Sequence, residues 1–83
     1  MKKERLRWAC RRGMLELDLL LSPFFENCFD ELTKEQKENF EELLTQQDPD
    51  LYHWFIGTTM PDKIQLQNII KMIKDYNAST HST

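Results

Sequence analysis

Residues 8–25 read WACRRGMLELDLLLSPFF, a stretch that contains the end of one predicted helix and most of the next. Gly13 interrupts it, directly after Arg11 and Arg12. Glycine readily adopts the left-handed conformation that ends many helices, and arginines in a closing turn suit the negative end of the helix dipole. The pattern therefore predicts a first helix over residues 2–12, capped by Gly13, with a second helix directly after it.

The second helix begins near Met14 and carries a broad apolar face. The apolar residues at helical spacing are Met14, Leu17, Leu20, Leu21, Phe24, Phe25 and Cys28. Pro23 falls inside this pattern, where proline removes a backbone hydrogen bond and clashes with the preceding turn. Two outcomes stay open: a kink in one helix, or a break in which Ser22 caps a new helix that has Pro23 in its first turn.

Capping signals delimit three further helices. Thr33 and Gln36 have the spacing of a capping box at the start of the third helix. Asp48 is predicted to cap a short fourth helix, which Gly57 ends, and a fifth helix is predicted over residues 61–76. The apolar stripes that predict the core outside the second helix are Leu6 and Cys10; Phe40, Leu43 and Leu44; Leu51, Trp54 and Phe55; and Leu66, Ile69, Ile70, Ile73 and Tyr76.

These elements predict an all-α fold, a compact bundle of five short helices that forms a single domain over residues 1–76. Residues 77–83, NASTHST, are predicted to form a flexible C-terminal tail. No apolar run approaches the roughly 18–20 residues that span a bilayer, and the N-terminus does not have the pattern of a signal peptide. We therefore expect no insertion into a membrane.

Charge is distributed unevenly along the chain, although the formal net charge is only −3. Residues 1–13 carry six Lys or Arg and one Glu, whereas residues 14–50 carry eleven acidic residues and two lysines. The basic segment could steer an acidic partner, but the acidic segment opposes contact with phosphates. Binding of nucleic acid is therefore not expected, and an arginine-rich regulator of nucleic acid is kept as a minor alternative.

Side chains that could perform chemistry are few. Glu16 and Asp18 are two residues apart, so they point in different directions on a helix and do not form an acid/base pair. Cys10 has arginine neighbours that could lower its pKa, but a lone cysteine on an apolar helix face is usually a small core residue. The cysteines and histidines lack the spacing of metal ligands. We expect no catalytic residue, no metal site and free thiols.

The cluster around Gly13 supports two interpretations. Capping alone explains the two arginines, Gly13, and Glu16 in the first turn of the next helix. Alternatively, the missing side chain at Gly13 lets the backbone of a partner approach closely. Trp8 lies near the arginine side of its helix, and tryptophan together with arginine is typical of interface hot spots. Trp8 is therefore predicted to lie in an interface.

The segments RWACRRGMLELDLLLSPFF and DPDLYHWF give the chain a resemblance to the SdhE-type assembly and flavinylation factors of succinate dehydrogenase. The hallmark of that family is an Arg-Gly-x-x-Glu motif, which is present here as Arg12, Gly13 and Glu16. The likeness covers roughly residues 5–75, and it departs in the loop before the last helix and in the tail.

The resemblance implies a five-helix assembly factor that is not itself an enzyme. Such a factor binds the flavoprotein subunit of succinate dehydrogenase, and of fumarate reductase, and promotes covalent attachment of FAD to a histidine there. We also expect no tightly bound cofactor, a monomer, and a location in the bacterial cytoplasm. An antitoxin-like regulatory module that binds another protein is the alternative. The residues implied to bind the partner are Arg12, Gly13 and Glu16, bordered by Arg11, Trp8 and Asp18.

Overall fold

Five α-helices make up the computed structural model of the protein, which describes residues 3–81, and that range contains no strand. The helices are α1 (Lys3–Ala9), α2 (Leu15–Cys28), α3 (Lys34–Leu44), α4 (Asp48–Ile56) and α5 (Ile64–His81), with one turn of 3₁₀ helix (Phe29–Glu31) after α2. The predicted all-α bundle is confirmed. Residue 2 of the predicted first helix and residues 82–83 of the predicted tail lie outside the described range. None of the described helices is apolar enough over a sufficient length to cross a membrane.

The core lies where α5 packs against α2, α3 and α4, while α1 covers α2 and α3 on another side. The ring of Phe40 is fully buried, and it lies 5.7 Å from the ring of Phe24, 6.1 Å from that of Phe25 and 5.9 Å from that of Phe29. The stripes predicted on every helix are buried, except that Trp54 and Tyr76 are only half-buried against the core, as are Met14, Leu20 and Cys28. Apolar periodicity therefore located the core correctly.

Two predicted caps are present as expected. The Thr33 hydroxyl accepts from the Gln36 amide at 3.1 Å, and the Gln36 side chain accepts from the Thr33 amide at 2.9 Å. Gly57 ends α4 with a φ of 88°. The N-cap of α4 was misplaced by one residue, because Gln47 takes that position and Asp48 is the first helical residue. The Asp48 carboxylate is bound to a side chain from another part of the fold, described below.

The first helix is shorter than predicted, since α1 ends at Ala9. The amide of Cys10 is shared between the carbonyls of Leu6 at 3.0 Å and Arg7 at 3.3 Å. The amide of Arg11 bonds three residues back, to the Trp8 carbonyl at 3.0 Å, and this tighter turn ends the α-helix. Gly13 is not left-handed; within residues 3–81, Gly57 is the residue with a positive φ. The predicted capping of the first helix by Gly13 is therefore wrong.

The second helix is continuous through Pro23, so the alternative of a break and restart is wrong. Ser22 does not cap a new helix, because its hydroxyl donates to Asp18 Oδ1 at 2.9 Å. The carbonyl of Pro23 accepts a hydrogen bond from the Asn27 side chain at 3.0 Å. Packing of Phe24 and Phe25 into the core holds this half of α2 helical, since tertiary contacts override a local helix breaker.

The fifth helix begins later and ends later than predicted. It starts at Ile64 rather than Pro61, and it continues past Tyr76 to His81, so the first residues of the predicted tail are helical. Asn77 is buried, and its side-chain amide donates to the carbonyls of Ile73 at 2.8 Å and Leu20 at 3.3 Å. The bond to Leu20 ties α5 to α2 at the point where the helix continues beyond its predicted end.

Candidate functional site

The side chain of Arg12 points into the protein and is only 12% exposed. Its Nε donates to Asp48 Oδ1 at 2.8 Å, and Nη1 donates to the carbonyls of Ala9 at 2.8 Å and Leu44 at 3.0 Å. Nη2 donates to the carbonyl of Gln46 at 2.5 Å. The guanidinium is thus engaged inside the fold by three carbonyls and one carboxylate.

These acceptors lie at the ends of three helices. Ala9 and Leu44 are the last residues of α1 and α3, where carbonyls lack partners within their own helix. A cation is favourable at such negative helix ends, and the Asp48 carboxylate is favourable at the N-terminus of α4. Arg12 therefore ties the α1–α2 connection to the α3–α4 connection. We call Arg12, Asp48 and the three carbonyls the Arg12 clamp.

Gly13 is exposed beside this clamp. A Cβ atom placed on it would lie 4.0 Å from Asp48 Oδ2, which is an ordinary contact distance, and its φ is not in the left-handed region. Neither the backbone conformation nor the internal packing requires glycine at this position. A bare backbone at the surface leaves room for close approach from outside.

The two carboxylates predicted near the motif face different surroundings. Glu16 is exposed and forms no hydrogen bond or ion pair with another described residue. Asp18 is half-buried and accepts the hydroxyl of Ser22. They are not brought together, as their spacing predicted. Glu16 therefore presents a free negative charge to the solvent at the start of α2.

Trp8 is exposed, as expected for an interface residue, and Arg11 covers part of its ring. The Trp8 side chain is 71% exposed, and the Arg11 guanidinium carbon lies 5.6 Å from the ring centroid. Two leucines of α2 that sequence reasoning missed are also exposed, Leu15 at 62% and Leu19 at 60%. They lie off the predicted apolar stripe of α2, and that mismatch was the signal that could have identified them.

These exposed residues form one surface. Arg11 and Leu19 line the same open groove, of about 360 Å³, with Asp18, Ser22, Pro23 and Glu26. Leu19 lies four residues after Leu15 and three residues after Glu16 on α2, so its side chain neighbours both. We call Trp8, Arg11, Gly13, Leu15, Glu16 and Leu19 the motif face. It combines large apolar side chains with charges of both signs, and it spans the connection between α1 and α2.

Comparison with known families decides the identity. A family model described as "Flavinator of succinate dehydrogenase" matches residues 4–77, which is nearly the whole chain. The chain belongs to this family of succinate dehydrogenase flavinators. The family confirms the resemblance that the Arg-Gly-x-x-Glu motif and the DPDLYHWF segment indicated.

Curated relatives of this flavinator-family chain bear the name FAD assembly factor SdhE. The one from Vibrio cholerae is 45% identical over 78 residues, covering 94% of this chain and 91% of the relative. The one from Coxiella burnetii is 47% identical over 75 residues, covering 90% and 92%. A solution structure of a UPF0350 protein is 45% identical with a TM-score of 0.78, covering 94% of this chain and 83% of that one.

The family motif is divided between the interior and the surface. Arg12 is directed into the fold, whereas Gly13 and Glu16 are exposed on the motif face. The clamp also connects the two segments that carried the resemblance, since Asp48 is the first residue of DPDLYHWF. Sequence reasoning missed this connection because nothing in either segment indicates which part of the chain it contacts.

Among residues 3–81, no group of three or more His, Cys, Asp or Glu side chains that could hold a metal ion is found. His53 is exposed on α4, and its Nδ1 lies 3.1 Å from the Thr58 hydroxyl. This contact belongs to the turn that ends α4, so the local structure accounts for the histidine.

The two cysteines differ in burial and should differ in reactivity. Burial raises the pKa of the Cys10 thiol to about 12, and Arg12 opposes this only in part. Cys10 is therefore expected to be protonated at pH 8, and the thiolate is the form that reacts. Cys28 is half-buried, and burial followed by the charge of Glu31 raises its pKa as well.

We expect Cys28 to react faster than Cys10 in the native protein at pH 8, and both thiols to react at similar rates after denaturation. Labelling with a maleimide followed by mass spectrometry of the peptides gives both rates. The variant Cys28→Ser should react slowly while native. Rapid native labelling of Cys10 would contradict its buried, protonated state.

Proposed function

We propose that the chain binds the flavoprotein subunit of succinate dehydrogenase through the motif face and thereby promotes covalent attachment of FAD to that subunit. The family match and the names of the relatives support the assembly function. The choice of surface rests on the free Glu16 carboxylate, which follows exposed Gly13 by three residues, and on the exposed large apolar side chains of α1 and α2. Exposed aromatic and arginine side chains near an apolar patch are typical of protein docking sites.

Each part of the motif face would have a distinct task in docking. Glu16 would accept charge-assisted hydrogen bonds from basic or amide groups of the flavoprotein. Gly13 would let the backbone of the partner approach, and Trp8 with Leu19 would bury apolar area. Asp18 borders this surface in the groove next to Leu19.

The bond between FAD and the histidine would form inside the flavoprotein, with this chain acting as an accessory that is not an enzyme. Its motif face offers side chains suited to binding and orienting a protein surface, and the adjoining groove is open to solvent. We propose that it holds no FAD of its own. Docking would instead hold the flavin and the acceptor histidine of the partner in a reactive arrangement, which lowers the entropic cost of the step.

The proposal extends to fumarate reductase, whose flavoprotein would dock on the same surface. The chain is proposed to act as a monomer in the bacterial cytoplasm. Acidic side chains dominate residues 14–50, which supports a protein partner over nucleic acid.

A direct test expresses the flavoprotein subunit in cells that lack this chain, with and without its gene restored. Covalent flavin is read as fluorescence of the subunit band after denaturing electrophoresis. Restoration should raise this fluorescence, and the two purified proteins should form a complex on size exclusion. A chain that copurifies with another target and leaves the flavin signal unchanged would favour the antitoxin-like alternative.

Docking should depend on the apolar part of the motif face. Trp8→Ala and Leu19→Ser are each expected to weaken binding of the flavoprotein by at least about 30-fold, the effect of a typical hot spot. Isothermal titration calorimetry measures this change. Ile64→Ser is the matched control, because Ile64 is 64% exposed but lies at the start of α5, outside the motif face. Equal effects of all three substitutions would contradict the assigned surface.

A further inference from the structure

We infer that Arg12 is a positioning residue of the motif face and does not itself contact the partner. The inference rests on the proposed docking function and assigns a different role to one member of the family motif. The inference is drawn from the geometry of the Arg12 clamp, and it does not depend on any property of the partner.

The guanidinium has little capacity left for an external partner. Arginine has five N–H donors, and the clamp uses four of them. The side chain is 12% exposed, so a partner could reach it only after the clamp had opened. Opening would leave the carbonyls at the ends of α1 and α3 without these bonds and would separate Arg12 from Asp48.

The clamp holds the connection between α1 and α2, and the conformation of this connection sets the shape of the motif face. Trp8 is on α1, whereas Glu16 and Leu19 are on α2, so the face is assembled only if the connection between these helices has one conformation. Arg12 is in that connection and binds it to the chain between α3 and α4. Gly13 follows directly, and a Cβ atom placed on it would lie 4.0 Å from Asp48 Oδ2. The clamp therefore sets the position of Trp8 relative to Glu16.

Because Asp48 holds Arg12 in the clamp, Asp48 should also affect docking, although it lies outside the motif face. Its carboxylate is 28% exposed, and one of its oxygens holds the Arg12 Nε. Asp48 is outside the motif face, so its removal should weaken docking only if the clamp positions that face. A preorganised surface binds more tightly because less ordering is required on association.

The test compares Arg12→Ala, Asp48→Ala and the milder Asp48→Asn in binding to the purified flavoprotein subunit. Affinity is measured by calorimetry at 15 °C, where circular dichroism verifies that each variant is helical. We expect Arg12→Ala and Asp48→Ala each to weaken binding by about ten- to a hundredfold, as is found when supporting residues of a site are removed. The double variant should show less than the product of the two effects.

Two further readouts separate positioning from general stability. The amide resonances of Gly13 and Glu16 should shift in all three variants, as seen in ¹H–¹⁵N spectra of the free protein. The loss of affinity should be the same at low and high salt, because no charge of the contact surface is removed, whereas Glu16→Gln should change the salt dependence.

Each outcome decides the role of Arg12. Weakened binding in both single variants, with shifted resonances, supports positioning. Weakened binding in Arg12→Ala alone would overturn it in favour of direct contact. Unchanged affinity of the folded variants, with only a lower melting temperature, would overturn it in favour of a purely structural role. Failure of the wild-type chain to bind the flavoprotein would instead refute the proposed function and is seen before any variant is made.

Discussion

Substituting Arg12 with alanine is expected to lower the free energy of unfolding by about 3 kcal/mol, the low end for removal of one partner from a buried ion pair. The variant loses four hydrogen bonds, and it leaves the Asp48 carboxylate and the ends of α1 and α3 without their shared cation. For a domain of this size the melting temperature should fall by roughly 12–24 °C. Thermal unfolding followed by circular dichroism, together with urea titration, measures both quantities.

The neighbouring arginine is a matched control. Arg11 is exposed, and its contact in the structure is with the exposed ring of Trp8. Arg11→Ala removes the same charge one residue away and should change stability by no more than about 0.5 kcal/mol. The free energy of unfolding of Arg12→Lys should lie between those of the two alanine variants, because one ammonium group cannot reach all four acceptors. If the two alanine variants melted at the same temperature, the clamp would not stabilise the fold.

Reversing the charge of Glu16 is expected to abolish flavin attachment while leaving the protein folded. In Glu16→Arg a cation faces the groups that the carboxylate would bind, and like charges across an interface cost several kcal/mol. Docking should weaken by about a hundredfold or more. Covalent flavin on the partner should fall to the level seen in cells that lack the chain. Because Glu16 has no partner among the described residues, the free energy of unfolding should change by less than about 0.5 kcal/mol.

Glu38→Arg controls for net charge, since it makes the same change on the exposed side of α3. It should support full attachment of flavin. A Glu16→Arg chain that restored attachment as well as this control did would show that the carboxylate is not part of the contact. A Glu16→Arg chain that unfolded would show that the first turn of α2 needs its acid, as simple helix capping predicts.

Sequence patterns predicted much of the fold, because helix capping and apolar periodicity depend on residues that are close together in the chain. The spacing of apolar residues identified the buried faces of all five helices, and the capping box at Thr33 and the glycine at position 57 marked true helix ends. The same reasoning failed at Gly13 and at the end of α5. In both places a side chain bonds to a distant part of the chain: Arg12 donates to Asp48 of α4, and Asn77 donates to the Leu20 carbonyl of α2.

The candidate site was only partly accessible to sequence reasoning. The exposed position of Trp8 was predicted correctly, since Trp8 is off the apolar stripe of its helix, whereas the role of the motif residues stays a prediction. The direction of Arg12 was not predictable, because the same arginine could cap a helix, bind a partner or enter the fold. The exposed Leu15 and Leu19 were overlooked, although their position off the predicted apolar stripe of α2 could have identified them.

The amino-acid sequence by itself determined that this protein is a bundle of five helices and a member of the flavinator family, because periodicity, capping and motif spacing depend on neighbours along the chain. The tertiary structure alone decided how the motif divides, with Arg12 inside and Gly13 and Glu16 outside. That division depends on the meeting of residues 36 positions apart, Arg12 and Asp48, which bury a guanidinium among the carbonyls of two helix ends. Contacts of this kind arise from packing, which no local pattern encodes.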